Sequence, residues 1–327
     1  MDDKTTKLPV AVPGVDIQRL NPSAAHVMSR VVADALARAK EAAVAPKLFR
    51  IGSYEFCRSD HEQVMLWAQT FHVSAEQLLE WFEDSSQGDP DRDSKRPPFI
   101  IRNGSIVSVS MQYEYMDPGL SFDDSDKRFD LCRLPALEAL WCWHIQLTEL
   151  DLSAVPELRK LLCGENQLTE LDLSAVPELR ELWCTENELK ELDLSAVPEL
   201  RELGCGYNQL TELDLSAVPE LRELVCGYNQ LTELDLSAVP ELRELVCWNN
   251  QLMELDLSAV SELRELWCGD NQLTELDLSD VPDLFLLRCS GNKIRELTIR
   301  DHLHLKSIIC DPSVVVHKRP DQVVKHA

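Results

Sequence analysis

The chain has 327 residues, 44% of them hydrophobic, with 32 Lys+Arg against 57 Asp+Glu and a formal charge of −25. That apolar content is enough to bury a core, which excludes a wholly disordered chain, and the negative field repels nucleic-acid phosphates and anionic lipid heads. No run reaches the ~18 uninterrupted apolar residues of a membrane span, and MDDKTTKLPVAVPGVDIQRL lacks the basic and apolar regions of a Sec-type signal.

Residues 1–21, punctuated by proline, read as a flexible N-terminus. Asn21-Pro22-Ser23 is a helix start, and 22–86 form a helical N-terminal domain: HVMSRVVADALARAKEAAVA, then SDHEQVMLWAQTF and SAEQLLEWFED with Ser74 as N-cap. The last pair resembles a small bacterial domain with a W-A-x-x-F-G-V-S core through Trp67, Ala68, Phe71, Val73 and Ser74, with His72 in place of the glycine. Read instead as a helix-turn-helix, its recognition helix would carry Glu76, Glu80, Glu83 and Asp84 and no Lys or Arg, so DNA is not its target. Residues 87–97 form a polar linker. In 98–136, FIIRNGSIVSVSM places Asn103-Gly104 between β-rich arms, the signal of a hairpin that would cap the N-terminal end of the region beginning at Leu137.

Nine of the eleven cysteines fall at 142, 163, 184, 205, 226, 247, 268, 289 and 310, each 21 residues from the last. A disulfide framework has no reason to keep such a ruler, whereas a stacked repeat offers one small inward slot per coil. With no CxxC pair, these are expected to be reduced core thiols rather than zinc ligands. Counted from Leu137, eight 21-residue units fill 137–304, and a partial unit, cap and tail occupy 305–327.

The repeat beginning at Leu221 reads LRELVCGYNQLTELDLSAVPE. The pattern LxxLxCxxNxLxxLDLSxVPx resembles the leucine-rich repeat family, and more narrowly its bacterial 21-residue IRREKO class. The resemblance implies a leucine-rich repeat solenoid, β-rich, with short parallel strands. The residues agree: columns 1, 4, 6, 11, 14, 16 and 19 are apolar, and alternation over LxC and LDL predicts two strands per repeat. Column 9 is Asn from Asn166 to Asn292, expected to satisfy backbone groups of its own turn and of the adjacent coil.

Chemistry-bearing constellations are scarce. The Asp row at column 15 (Asp172 to Asp277) does not converge as a calcium site must. His302, His304, Cys310 and His317 match no zinc spacing and read as end-cap residues, and neither a phosphate loop nor a catalytic triad stands out. The chain is therefore expected to be non-enzymatic, with no cofactor and no metal.

Variation among otherwise near-identical repeats concentrates at columns 5, 7 and 8. It supplies Trp183, Trp248, Trp267, Tyr207 and Tyr228, to which the first repeat adds Trp141, Trp143 and His144, beside a row of Glu181, Glu202, Glu223 and Glu265 at column 3. In a leucine-rich repeat these columns line the concave face. Harmless drift is the competing explanation, but equally exposed columns 13, 15 and 21 hardly drift. These residues are the expected site for a protein partner with a basic or mixed-charge surface, bound by a monomer. By resemblance such a protein acts as an effector delivered into a host cell by a non-Sec route; the other expected location is the cytoplasm. The alternative is an intracellular scaffold or regulator acting through 22–86.

Overall fold

The chain coils because its apolar columns leave no other way to bury themselves. The computed structural model describes residues 49–51, 54–56, 63–65, 99–102, 105–112, 128–129, 134–305, 307–320 and 322–326. The first helix and most of the second pair lie outside these residues, as do the linker and Asn103-Gly104. Within 22–86 the described part includes an antiparallel strand pair, β1 (Phe49–Ile51) and β2 (Tyr54–Phe56), lying between the segments whose sequence read as helical. Val64 follows in a single helical turn and is fully buried. No helix among the described residues is long and apolar enough to cross a membrane.

A hairpin of β3 (Phe99–Arg102) and β4 (Ser105–Gln112) starts the main sheet. Next come β5 (Arg128–Phe129), β6 (Ala139–Trp143) and β7 (Glu149–Leu150). One three-residue strand per coil follows: β8 (Lys160–Leu162), β9 (Glu181–Trp183), β10 (Glu202–Gly204), β11 (Glu223–Val225), β12 (Glu244–Val246), β13 (Glu265–Trp267) and β14 (Leu286–Arg288). The chain closes with β15 (Glu296–Thr298), β16 (Ser307–Cys310), β17 (Val315–His317) and β18 (Val324–His326). Twelve strands form one sheet in the order β18-β16-β14-β13-β12-β11-β10-β9-β8-β6-β4-β3. From β8 to β14 the pairing is parallel and in register, so Glu202 faces Glu181 and Glu223, and Leu203 faces Leu182 and Leu224.

The second strand expected in each repeat forms a ladder only at the two ends, as β5–β7 and β15–β17. In the interior coils the LDL segment makes no strand ladder. There the Asp of column 15 accepts a hydrogen bond from the backbone N–H two residues on (Ser216 N to Asp214 Oδ1, 2.8 Å), a local turn bond where the sequence suggested a cross-coil one. The column 14 leucines are correspondingly less enclosed, 7% exposed at Leu213 against 0% at Leu203.

Inside, Leu200, Leu203, Cys205, Leu210, Leu215 and Val218 of one coil are buried, and their counterparts repeat along the axis. Burying each such leucine is worth about 1.5–3 kcal/mol. All nine ladder cysteines are free and buried, and desolvation pushes the thiols of Cys184 and Cys226 up to about 12, so they pack as neutral, unreactive groups.

The buried asparagines hold coil to coil. Asn208 Nδ2 donates to the carbonyls of Cys184 (3.0 Å) in the preceding coil and Cys205 (3.1 Å) in its own, while Oδ1 accepts from Leu189 N (3.0 Å). Each Asn thereby satisfies backbone groups that would otherwise be stranded in the core. At the far end His302 occupies the slot held by valine in earlier coils, its Nε2 donating to the Leu278 carbonyl (2.9 Å). Buried Gln322 closes the stack by donating to the carbonyls of Ile299 and His302.

Candidate functional site

The strand ladder presents columns 3 and 5 outward and column 4 inward, giving two parallel lanes about 6.6 Å apart, and the turn after each strand adds a third lane from columns 7 and 8. The first is acidic. In-register pairing stacks Glu181, Glu202, Glu223, Glu244 and Glu265 at coil spacing, about 4.8 Å. All five are half-buried. Lys160 heads the row and donates to Glu181 Oε1. Among the described residues no cation pairs with Glu202, Glu223, Glu244 or Glu265.

That arrangement makes ionisation costly in mid-row. Desolvation, reinforced by Glu244 and Glu202, raises Glu223 to about 7. Desolvation and then Glu181 raise Glu202; desolvation and then Glu265 raise Glu244. The Glu row of column 21 is treated differently, for each member from Glu178 to Glu262 receives an arginine: Arg180 Nη2 meets Glu199 Oε2 at 2.8 Å, Arg201 meets Glu220 and Arg222 meets Glu241, both at 2.9 Å.

The second lane, column 5, is apolar: Leu162, Trp183, Gly204, Val225, Val246 and Trp267. Trp183 lies across Gly204, and Arg288 stacks over the Trp267 ring at 3.9 Å, closing the lane at its C-terminal end. The Trp267 indole nitrogen is enclosed and has no hydrogen-bond partner among the described residues. The third lane is an aromatic ribbon. Tyr207 and Tyr228 stack (centroids 4.1 Å apart), and Trp248 meets Tyr228 edge-on at 4.8 Å while covering Gly227. Column 8, which holds both tyrosines, is left-handed from His144 to Gly291, with φ of 54° at Tyr207 and 55° at Tyr228. Gly291, Asn249 and Asp270 suit that conformation elsewhere in the column; tyrosine does not.

The predicted residues therefore fall into groups. Tyr207, Tyr228 and Trp248 are contiguous. Trp183 and Trp267 share the apolar lane but sit at opposite ends of it. Trp141, Trp143 and His144 belong to the first coil, where Lys160 lies 5.8 Å from the Trp141 ring, Trp143 covers Gly164, and His144 Nδ1 meets Glu165 Oε2 at 2.7 Å. The tryptophans are half-buried and lie along the sheet instead of standing up from it; of the aromatic set only Tyr207, 47% exposed, is as open as expected. Sequence reasoning missed Lys160 and Arg288 as the ends of the site, although each is a basic interruption of its column.

On the other side of the coils a groove of about 1160 Å³ is floored by column 14 leucines and flanked by the Glu and Asp of columns 13 and 15. Hydrogen bonds from Ser216 hold the Asp214 carboxyl below the usual range. Among the described residues no three Asp, Glu, His or Cys converge as a metal site.

No protein-family model and no curated protein matches the sequence. Solved structures do. A leucine-rich repeat protein of Leptospira interrogans aligns over 59% of this chain and 52% of its own, with a TM-score of 0.51 and 24% identity. The stacked 21-residue coils, with their Asn and Cys ladders, decide the rest. The chain is a leucine-rich repeat solenoid. The functional domain of InlJ from Listeria monocytogenes, which includes a cysteine ladder, is 29% identical over 59% of the solenoid chain and 46% of its own (TM-score 0.45). The solenoid chain spans about half the length of these two structures.

Proposed function

We propose that the solenoid is a non-catalytic protein-binding module that engages its partner through the ladder face. One contrast carries this reading: every column 21 carboxylate from Glu178 to Glu262 has its own arginine, while Glu202, Glu223 and Glu244 have been stacked, half-buried, without one. An incoming Lys or Arg relieves that repulsion and makes charge-assisted hydrogen bonds in a partly desolvated site. The adjoining Trp183, Tyr207, Tyr228, Trp248 and Trp267 supply the large, rigid surfaces that dominate protein interfaces. A basic or mixed-charge protein surface is the complement of both.

The test is quantitative capture by three immobilised proteins: the wild-type chain, a Trp183→Ala/Tyr207→Ala/Trp267→Ala variant and an Asp214→Asn/Asp235→Asn control on the opposite side, all with matched thermal unfolding. A protein retained by wild type and control and lost by the triple variant supports the ladder face. Identical capture by all three overturns it.

A further inference from the structure

Resting on the ladder-face reading, the lanes also constrain the shape of the partner. We infer that the face receives a basic amphipathic α-helix lying along the solenoid axis, with one Lys or Arg per turn over the glutamate row and its apolar stripe over column 5.

The repeats of coil and helix match. Coils recur about every 4.8 Å, and an α-helix brings a side chain back to the same stripe about every 5.4 Å. Over the four intervals from Glu181 to Glu265 the mismatch accumulates to only about 2.4 Å, within the reach of flexible Lys and Arg stems. An extended strand repeats a side about every 6.8 Å and falls out of step after one coil, whereas a polyproline helix, at about 9.3 Å per turn, meets only every second coil and leaves alternate glutamates without a cation. The lane spacing agrees: a helix about 10 Å wide sets its basic flank over Glu223 while its apolar stripe meets Val225 and Val246.

The site is also bounded. Lys160 terminates the acidic lane at one end and Arg288 the apolar lane at the other, leaving a run of about 19 Å that suits a helix of about 13 residues. A second copy of the chain is a poor occupant, since its own ladder face carries the same glutamate row and its column 2 arginines are engaged by column 21.

The probe is a synthetic helical peptide of about 15 residues with one lysine per turn and leucine on the adjacent stripe, compared with a scrambled peptide of identical composition. Both are titrated by fluorescence anisotropy against the full chain, a Glu202→Gln/Glu223→Gln/Glu244→Gln variant and a Glu212→Gln/Glu233→Gln/Glu254→Gln variant on the opposite side. The patterned helix is expected to bind wild type about tenfold tighter than the scramble and to lose about tenfold or more on the ladder variant, staying within about twofold on the other. Equal binding of both peptides, or equal losses on both variants, means unspecific charge attraction and overturns the proposal. If the peptide shows no preference while the Trp183/Tyr207/Trp267 triple variant still loses a captured protein, the helical partner is wrong and the ladder face stands. If that capture is unchanged too, both fall.

Discussion

Trp183 lies flat across Gly204 of the following coil, where a β-carbon would come within 2.1 Å of its Cε3. In the next two coils the same column holds Val225 and Val246. The glycine is thus the space into which the preceding indole folds, and the two residues form one unit of the apolar lane. Gly204→Ala should push the indole off the sheet, at a cost of about 1–3 kcal/mol from overpacking. Indole emission should shift to the red, and the shift should vanish in a Trp183→Phe background. An unchanged spectrum with unchanged stability would show that the ring is not held there.

Glu223 ties pH to stability. Its carboxyl is raised from 4.5 to about 7 in the folded chain, so folding favours its protonated form. That contribution is fully present below about 4.5 and is lost as pH rises through 7. Glu223→Gln is therefore expected to stabilise the chain at pH 8 by about 1 kcal/mol, after allowing for solvent screening of a half-exposed group, and the gain should shrink towards pH 5. Urea unfolding at the two pH values measures it; a pH-independent difference would mean that desolvation and the neighbouring carboxylates do not set the ionisation of Glu223.

The same group gives partner binding a pH dependence. A cation pairs only with the ionised row, so affinity for the basic helical peptide should rise from pH 6 to pH 8. Anisotropy titrations of Glu223→Gln should show a flatter profile. A wild-type profile equally flat would place the contact elsewhere.

Asn208 bridges two coils through Leu189 N and the Cys184 and Cys205 carbonyls. Asn208→Ala strands these buried groups and should cost about 3 kcal/mol, whereas the exposed neighbour Gln209→Ala should stay within about 0.5 kcal/mol. Chemical denaturation of both variants is the measurement. Equal small effects would mean that water replaces the amide.

Tyr207 and Tyr228 hold left-handed backbone that suits Asn or Gly, at about 1 kcal/mol each, and recover a similar amount by stacking. Tyr207→Asn/Tyr228→Asn should therefore leave stability within about 1 kcal/mol of wild type while abolishing capture of the partner. Retained capture would make the tyrosines structural.

How much of this was legible in the sequence depends on the distance over which each feature is decided. Periodicity alone determined the coil, its buried columns, the reduced cysteines and the Asn ladder, because each depends on one residue type recurring at one slot, and stacking converts sequence period directly into neighbourhood. It also located the variable columns that line the ladder face. What it could not determine was how side chains lean across the gap between coils. Columns 3 and 21 are both rows of Glu in sequence, yet Arg201 pairs with Glu220 and leaves Glu202 without a cation, since the corner of the coil brings column 21 within reach of column 2. The left-handed column 8, the flattened tryptophans over Gly164, Gly204 and Gly227, and the closing of the lanes by Lys160 and Arg288 were likewise decided only when the coils stacked. Stacking sets distances between residues 19 to 21 positions apart, and no local preference encodes them.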